Sequence, residues 1–192
     1  MSEKRKSNLW SEMLKPVVVL TVICIVVSAL LALTNGITAP IIEQKKMEAA
    51  TATRKELLPD ATGFTELETT VEGVESVHAD DGGSGYVIVV NGKGYKGDLP
   101  VTVALSPEGE ILGIKVDASG ETAGVGSKVG EASYLAQYIG LGKQQSDGIS
   151  SATQNEDGSA AIDILSGATV SSKAVYNAVG LAFEAYEQVK GA

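Results

Sequence analysis

The 192-residue chain holds a single cysteine and a single histidine, and each scarcity removes a class of chemistry. One Cys cannot build an internal disulfide framework, nor hold a Cys-rich zinc site or a Cys-ligated iron–sulfur cluster by itself. One His argues against a His-rich metal site. Aromatic residues amount to only 5%, and 15 basic residues face 24 acidic ones, for a net charge of −9. A sequence-independent nucleic-acid binder needs a basic surface to neutralise phosphates, so that class is disfavoured. Neither a G-x-x-x-x-G-K-[ST] phosphate loop nor a G-x-S-x-G nucleophile elbow occurs. The length suits one domain with a tail or anchor, not two large catalytic domains.

What is present begins with an uneven distribution of charge. Residues 1–15 carry Lys4, Arg5, Lys6 and Lys15 against Glu3 and Glu12, a net of +2, so the remainder carries −11. No charged residue lies between Lys15 and Glu43, and Val17 to Leu33 reads VVVLTVICIVVSALLAL. About 20 such residues cross the ~30 Å core of a bilayer. A cleaved signal peptide is the competing reading, but its apolar region is about 7–15 residues and ends at a small-x-small site. Here the run is longer, and Thr34-Asn35-Gly36 leads on into further apolar residues. The sequence therefore predicts an N-terminal tail at 1–15, a retained transmembrane helix at 16–38 and a helical stalk at 39–59. The basic flank precedes the span, which places the tail in the cytoplasm and the domain at 60–192 outside it. Trp10 suits an interfacial anchor.

Residues 60–81 read as irregular, acidic and solvated, with His78 on the surface. From Tyr86 the pattern turns to short strands. YVIVV (86–90) is followed by the hairpin signal Asn91-Gly92, VTVAL (101–105) by the turn Pro107-Glu108-Gly109, and then comes ILGIKV (111–116). Three such strands suggest an antiparallel meander. Near the C-terminus, Val175, Ala178, Val179, Ala182, Phe183 and Tyr186 fall on one helical face. Tyr134 and Tyr138, four apart, read as core. The fold class expected is α+β: one N-terminal transmembrane helix, then an extracytoplasmic domain with an antiparallel sheet and flanking helices.

Two segments could carry chemistry. The first, GETAGVGSKVG (120–130), contains G-x-G but misplaces the third glycine of a dinucleotide fingerprint. Asp147 stands near the offset where that fingerprint wants a carboxylate, but the strands before it look antiparallel, which argues against such a site. A flexible Gly loop and a ligand-facing loop both fit. Around Glu156 and Asp157 the spacing is not that of a calcium loop. The second segment, DILSGATVSS (163–172), precedes the final helix. Its Ser and Thr residues are ordinary N-cap material. A helix N-terminus also favours a phosphate through its free N–H groups and dipole, without requiring Arg or Lys. Both readings stand on composition alone.

The run Ser166-Gly167-Ala168-Thr169-Val170-Ser171-Ser172 resembles the S-G-A-T-x-[ST]-S signature of the covalent FMN-binding domain family. Asp163, three residues before Ser166, resembles the recognition pattern of the flavin transferase that loads such domains. Gly120-Glu121-Thr122-Ala123-Gly124-Val125-Gly126 resembles the family's G/H-E-T-P-G-L-G loop, and Gly94-Tyr95-Lys96-Gly97 its G-Y-x-G hairpin. The chain departs at Ala123, where Pro is usual, and at Val125, where Leu is. With the N-terminal span, the resemblance extends to G subunits of Rnf-type ion-translocating ferredoxin:NAD⁺ oxidoreductases. The C subunits of sodium-translocating NADH:quinone oxidoreductases are the related alternative.

The resemblance implies a membrane-anchored electron-transfer subunit that is not an enzyme by itself. Its cofactor would be FMN in phosphoester linkage to Thr169. Ser166, Gly167 and Ala168 would shape the turn, Ser171 and Ser172 would donate to phosphate, and Glu121, Thr122, Gly124 and Gly126 would meet the ring edge. No metal and no residue of independent catalysis is implied. The partners implied are other subunits of a membrane redox complex, the flavin transferase and the lipid bilayer, with the chain in the cytoplasmic (inner) membrane. A tethered cofactor rebinds intramolecularly, which suits a compartment without a flavin pool. A reading of another class remains beside this one: an anchored, non-redox scaffold whose Ser-Gly-Ala-Thr segment only caps a helix.

Overall fold

The uncharged run between Lys15 and Glu43 lies within one helix, α1 (Ser2–Leu57), in a computed structural model that describes residues 2–143 and 162–191. Pro16 and Pro40 lie inside α1 and do not end it. The part of it from Leu14 onward contains an 18-residue stretch of mean hydropathy 3.0, none of it buried in the protein. Among the described residues this is the one helix long and apolar enough to cross a membrane. The residues expected as span and stalk lie, as far as Leu57, in one continuous helix. The chain divides into two compact units, Met1–Ala50 and Thr51–Ala192.

Within the second unit, five strands form an antiparallel meander in chain order: β1 (Phe64–Leu67), β2 (Val74–Asp80), β3 (Tyr86–Lys93), β4 (Asp98–Leu105) and β5 (Ile111–Val116). The expected strands at 86–90, 101–105 and 111–116 are all present. Two more occupy the stretch read as irregular. β2 (VESVHAD) has little apolar content of its own, and only Val77 is fully buried in it. Pairing with β3 makes it a strand, a tertiary effect that composition does not announce.

The Asn91-Gly92 hairpin is also corrected. Both residues lie inside β3, opposite Pro100 and Leu99, and the turn falls at Gly94–Gly97, closed by Gly94 N–H donating to the Gly97 carbonyl at 2.8 Å. Gly92 serves clearance instead. A Cβ there would sit 3.2 Å from the Ala174 carbonyl oxygen of the helix packed over the sheet.

That helix is α3 (Thr169–Val189), preceded in the chain by the short α2 (Ala132–Leu135). Every residue of its predicted apolar face is buried, from Val175 at 0% exposure to Tyr186 at 5%. It packs on Ile88, Val90, Val101 and Val103. Tyr134 and Tyr138 are buried as expected, their rings edge to face at 6.2 Å.

The opposite face of the sheet is covered at one end by the last turn of α1. Leu58 packs on Val87 and Ala104, Leu57 lies over Gly113, and Glu56 pairs with Lys115 at 2.6 Å. His78, expected at the surface, is buried here (6% exposed) opposite Glu66 of β1. Burial and the nearby Arg54 charge push its pKa below the ordinary value, with Glu66 opposing.

Candidate functional site

The segment before α3 turns sharply at Gly167, whose φ of +81° is a left-handed conformation that favours glycine. The turn leaves Ala168 at the helix N-cap position with no side-chain cap, and Thr169 as the first helical residue. The first-turn N–H groups are therefore not occupied by a capping side chain. Thr169 is exposed, while Ser171 and Ser172 are buried at 1%. The helix starts inside the segment expected to precede it, so Thr169 to Ser172 form its first turn, and a Ser or Thr does not cap it.

Facing this turn is the loop from Gly120 to Gly126. The two segments approach at Val125 and Gly167, where a Cβ on the glycine would lie 3.8 Å from Val125 Cγ1. Between them opens a cleft of about 350 Å³, lined by Glu121, Thr122 and Gly126 of the loop and by residues 167–171. Tyr95 of the β3–β4 turn closes another side. Tyr95, Val125 and Val170 present large apolar surfaces to solvent around the cleft, with Tyr95 71% exposed.

Of the ten residues expected at the site, seven line this cleft: Glu121, Thr122, Gly126, Gly167, Ala168, Thr169 and Ser171. Ser166 lies just outside it. Ser172 faces inward, its Oγ accepting from Leu165 N–H at 3.2 Å. Gly124 lies at the exposed tip of the loop and donates its N–H to Ser127 Oγ at 2.9 Å. Asp163 is also exposed, its N–H donating to Gln137 Oε1. Asp147, Glu156 and Asp157 lie outside the described residues. The lining residues that sequence reasoning missed are Tyr95, Val125 and Val170. All three stood within the quoted runs: Tyr95 in Gly94-Tyr95-Lys96-Gly97, Val125 at a position where Leu is usual, and Val170 at the variable position after Thr169.

Glu121 is the one buried carboxylate of the cleft (6% exposed), and both its oxygens are used within the protein. Ser171 donates its hydroxyl to Oε2 at 2.6 Å, and Lys96 its backbone N–H to Oε1 at 3.2 Å. Burial pushes this carboxyl's pKa up. Hydrogen bonds from Ser171, Lys96 and Tyr95, with the Lys96 charge, outweigh that and hold it below the ordinary value. The group is anionic at neutral pH. Among the described residues no cluster of His, Cys, Asp and Glu could hold a metal ion.

An exposed hydroxyl at an uncapped helix start faces a glycine loop across a cleft with apolar edges, an arrangement that can receive a phosphate at the helix start and a planar ring between the walls. Residues 94–184 match the family described as FMN-binding domain, and residues 1–57 match the RnfG N-terminal region. The G subunit of the ion-translocating oxidoreductase complex of Methanosarcina acetivorans is 31% identical over 178 residues, covering 88% of this chain and 91% of that one. The G subunit of the Na(+)-translocating ferredoxin:NAD(+) oxidoreductase complex of Acetobacterium woodii is 29% identical over 98% of this chain and 99% of its own length. The chain belongs to the family of G subunits of ion-translocating oxidoreductase complexes. Among solved structures, Shewanella oneidensis NqrC aligns with a TM-score of 0.49 and 22% identity, over 66% of this chain and 68% of that one.

Proposed function

We propose that this chain is the membrane-anchored electron-transfer subunit of an ion-translocating ferredoxin:NAD⁺ oxidoreductase, and that it carries FMN in phosphoester linkage to Thr169. The observation that carries the reading is the position of Thr169: exposed, first in α3, and on the wall of the cleft that both motif segments share. The residues fit the group. Uncapped N–H groups and the helix dipole favour a phosphate diester at this point. A cleft of about 350 Å³ falls in the range of small-molecule sites, and its apolar edges suit a planar aromatic ring.

When bound, the flavin supplies the electron chemistry. The chain's own residues attach and orient it. Thr169 would hold it through a phosphoester to Oγ1, installed by a flavin transferase. Gly167 sets the turn that exposes the hydroxyl, and Thr122 and Gly126 form the facing wall. The exposed apolar edges at Tyr95, Val125 and Val170 offer a contact surface to a redox partner among the other subunits.

On the same reading, residues 16–38 cross the inner membrane, 39–59 form the stalk and 60–192 lie outside the cytoplasm, with residues 1–15 inside. The scaffold alternative expects the Ser-Gly-Ala-Thr segment to cap the helix, whereas the N-cap position holds Ala168 and no side chain caps it. Intact-mass measurement of the full chain co-expressed with a flavin transferase tests the proposal. The wild type should gain the mass of one FMN phosphoryl adduct and Thr169→Ala should gain none. An unmodified wild type, or an adduct that survives in Thr169→Ala, overturns it.

A further inference from the structure

We propose that Glu121 is the positioning residue of this site: its buried carboxylate clasps the first turn of α3 to the β3–β4 turn, and so fixes the cleft wall on which Thr169 stands. Three segments far apart in sequence meet on this one group. Ser171 lies 50 residues after Glu121, and Lys96 lies 25 residues before it. Both oxygens accept hydrogen bonds from the protein, so the carboxylate ties the two segments together whatever else it meets in the cleft.

The surrounding glycines are placed for the carboxylate. A Cβ on Gly94 would collide with Glu121 Oε1, and one on Gly126 would lie 2.6 Å from Oε2 and 3.0 Å from Ser171 Oγ. Gly94 of the β3–β4 turn and Gly126 of the facing loop thus share one structural duty, to admit this side chain between them. A neutral residue of similar size fills the space without accepting from both sides. An alanine leaves the Ser171 hydroxyl and the Lys96 N–H without their acceptor, and the coupling between hairpin and helix is lost.

The inference rests on the flavin reading for its purpose but not for its first test. In the full chain made without transferase, amide hydrogen exchange is compared among wild type, Glu121→Ala, Glu121→Gln, Ser171→Ala and Thr169→Ala. Glu121→Ala should speed exchange severalfold at Lys96 and at residues 172–175 together, and leave Val87 to Val90 unchanged. Ser171→Ala should reproduce the helix part, Glu121→Gln should fall between, and Thr169→Ala should match wild type. If hairpin and helix exchange respond independently, the clasp is overturned, whether or not the chain carries flavin. Should Glu121→Ala fail to fold, Glu121→Gln and Ser171→Ala decide the point by the same comparison.

The loaded chain then gives a readout that loss of stability alone does not move. With flavin attached, the fluorescence anisotropy of the ring should fall and its midpoint potential should shift in both Glu121→Gln and Ser171→Ala. The double variant should go no further than the larger single one. Wild-type anisotropy and potential in both single variants would overturn the positioning role. Failure of the wild type to load flavin would instead overturn the proposed function and leave the exchange comparison to judge the clasp.

Discussion

The ring of Tyr186, in the last part of α3, lies against the bare backbone of Gly109 in the β4–β5 turn: a Cβ on that glycine would sit 2.8 Å from Tyr186 Cε1. The hydroxyl reaches on to the Pro107 carbonyl at 2.7 Å, and the ring meets Tyr86 edge to face at 5.4 Å. Gly109 also has φ of +87°, where L side chains are strained. Gly109→Ala should therefore cost about 1–3 kcal/mol through strain and a displaced ring. Tyr186→Phe, which loses one hydrogen bond, should cost about 1 kcal/mol. Urea denaturation of the domain checks both, and a neutral Gly109→Ala contradicts the packing described.

Thr169 is exposed and makes no cap, so its replacement should separate loading from folding. Thr169→Ala is expected to change stability by no more than about 0.5 kcal/mol, as surface substitutions do. Flavin attachment should vanish completely. Thermal melting alongside in-gel flavin fluorescence tests the pair of outcomes. A variant that both unfolds and fails to load would show that the residue is structural.

Glu121 titrates below its ordinary value in the folded chain, despite burial, because Ser171, Lys96 and Tyr95 hydrogen-bond its charged form. A carboxyl with a depressed folded pKa stabilises the fold above the unfolded value, about 4.3, and that contribution is lost as pH falls through the folded one. Ser171→Ala should lower stability at neutral pH by about 1–3 kcal/mol, because a buried carboxylate loses a donor. It should also flatten the acid limb of the stability curve. Denaturation midpoints measured from neutral to acid pH report both effects.

His78 gives a dependence at higher pH. Burial and Arg54 disfavour its protonated form, so the unfolded chain binds the proton first. Stability should be full above the ordinary value of about 6.5 and should decline as pH falls below it towards the folded value. His78→Gln should remove this component and leave the Glu121 component lower down. A single-residue imidazole titration followed by NMR gives the folded pKa directly, and a value above 6.5 refutes the argument.

Leu58 is 3% exposed against Val87 and Ala104, where the chain leaves α1. Leu58→Ala should cost about 2–5 kcal/mol, as deletions of buried leucine do. Removing the Glu56–Lys115 pair, which is roughly half exposed on both sides, should cost less than about 1 kcal/mol. Chemical denaturation of the two variants compares apolar packing with the ion pair as the force that holds this end of the helix to the sheet.

Features carried by runs and periods are legible in the chain itself. The uncharged run marks α1, the helical period marks the buried face of α3, and richness in Val and Ile marks β3 to β5. β1 and β2 are not legible in this way, because their residues are mostly polar and their order comes from neighbours. Asn91-Gly92 misleads because a glycine needed for close approach to Ala174 looks the same in sequence as one needed for a turn. Thr169 stands out through its motif. The inward use of Glu121 does not, because its partners Ser171 and Lys96 meet it only once the sheet and α3 are packed together.

The strands follow one another in space in the order in which they are made, so each hairpin closes a short loop and the sheet can form progressively. α3 comes after all of them in the chain, and until it arrives Ile88, Val90, Val101 and Val103 lack the helix that packs on that face. The segment that completes the interior begins with the very threonine proposed to take the cofactor. A chain interrupted during synthesis before residue 169 lacks both at once.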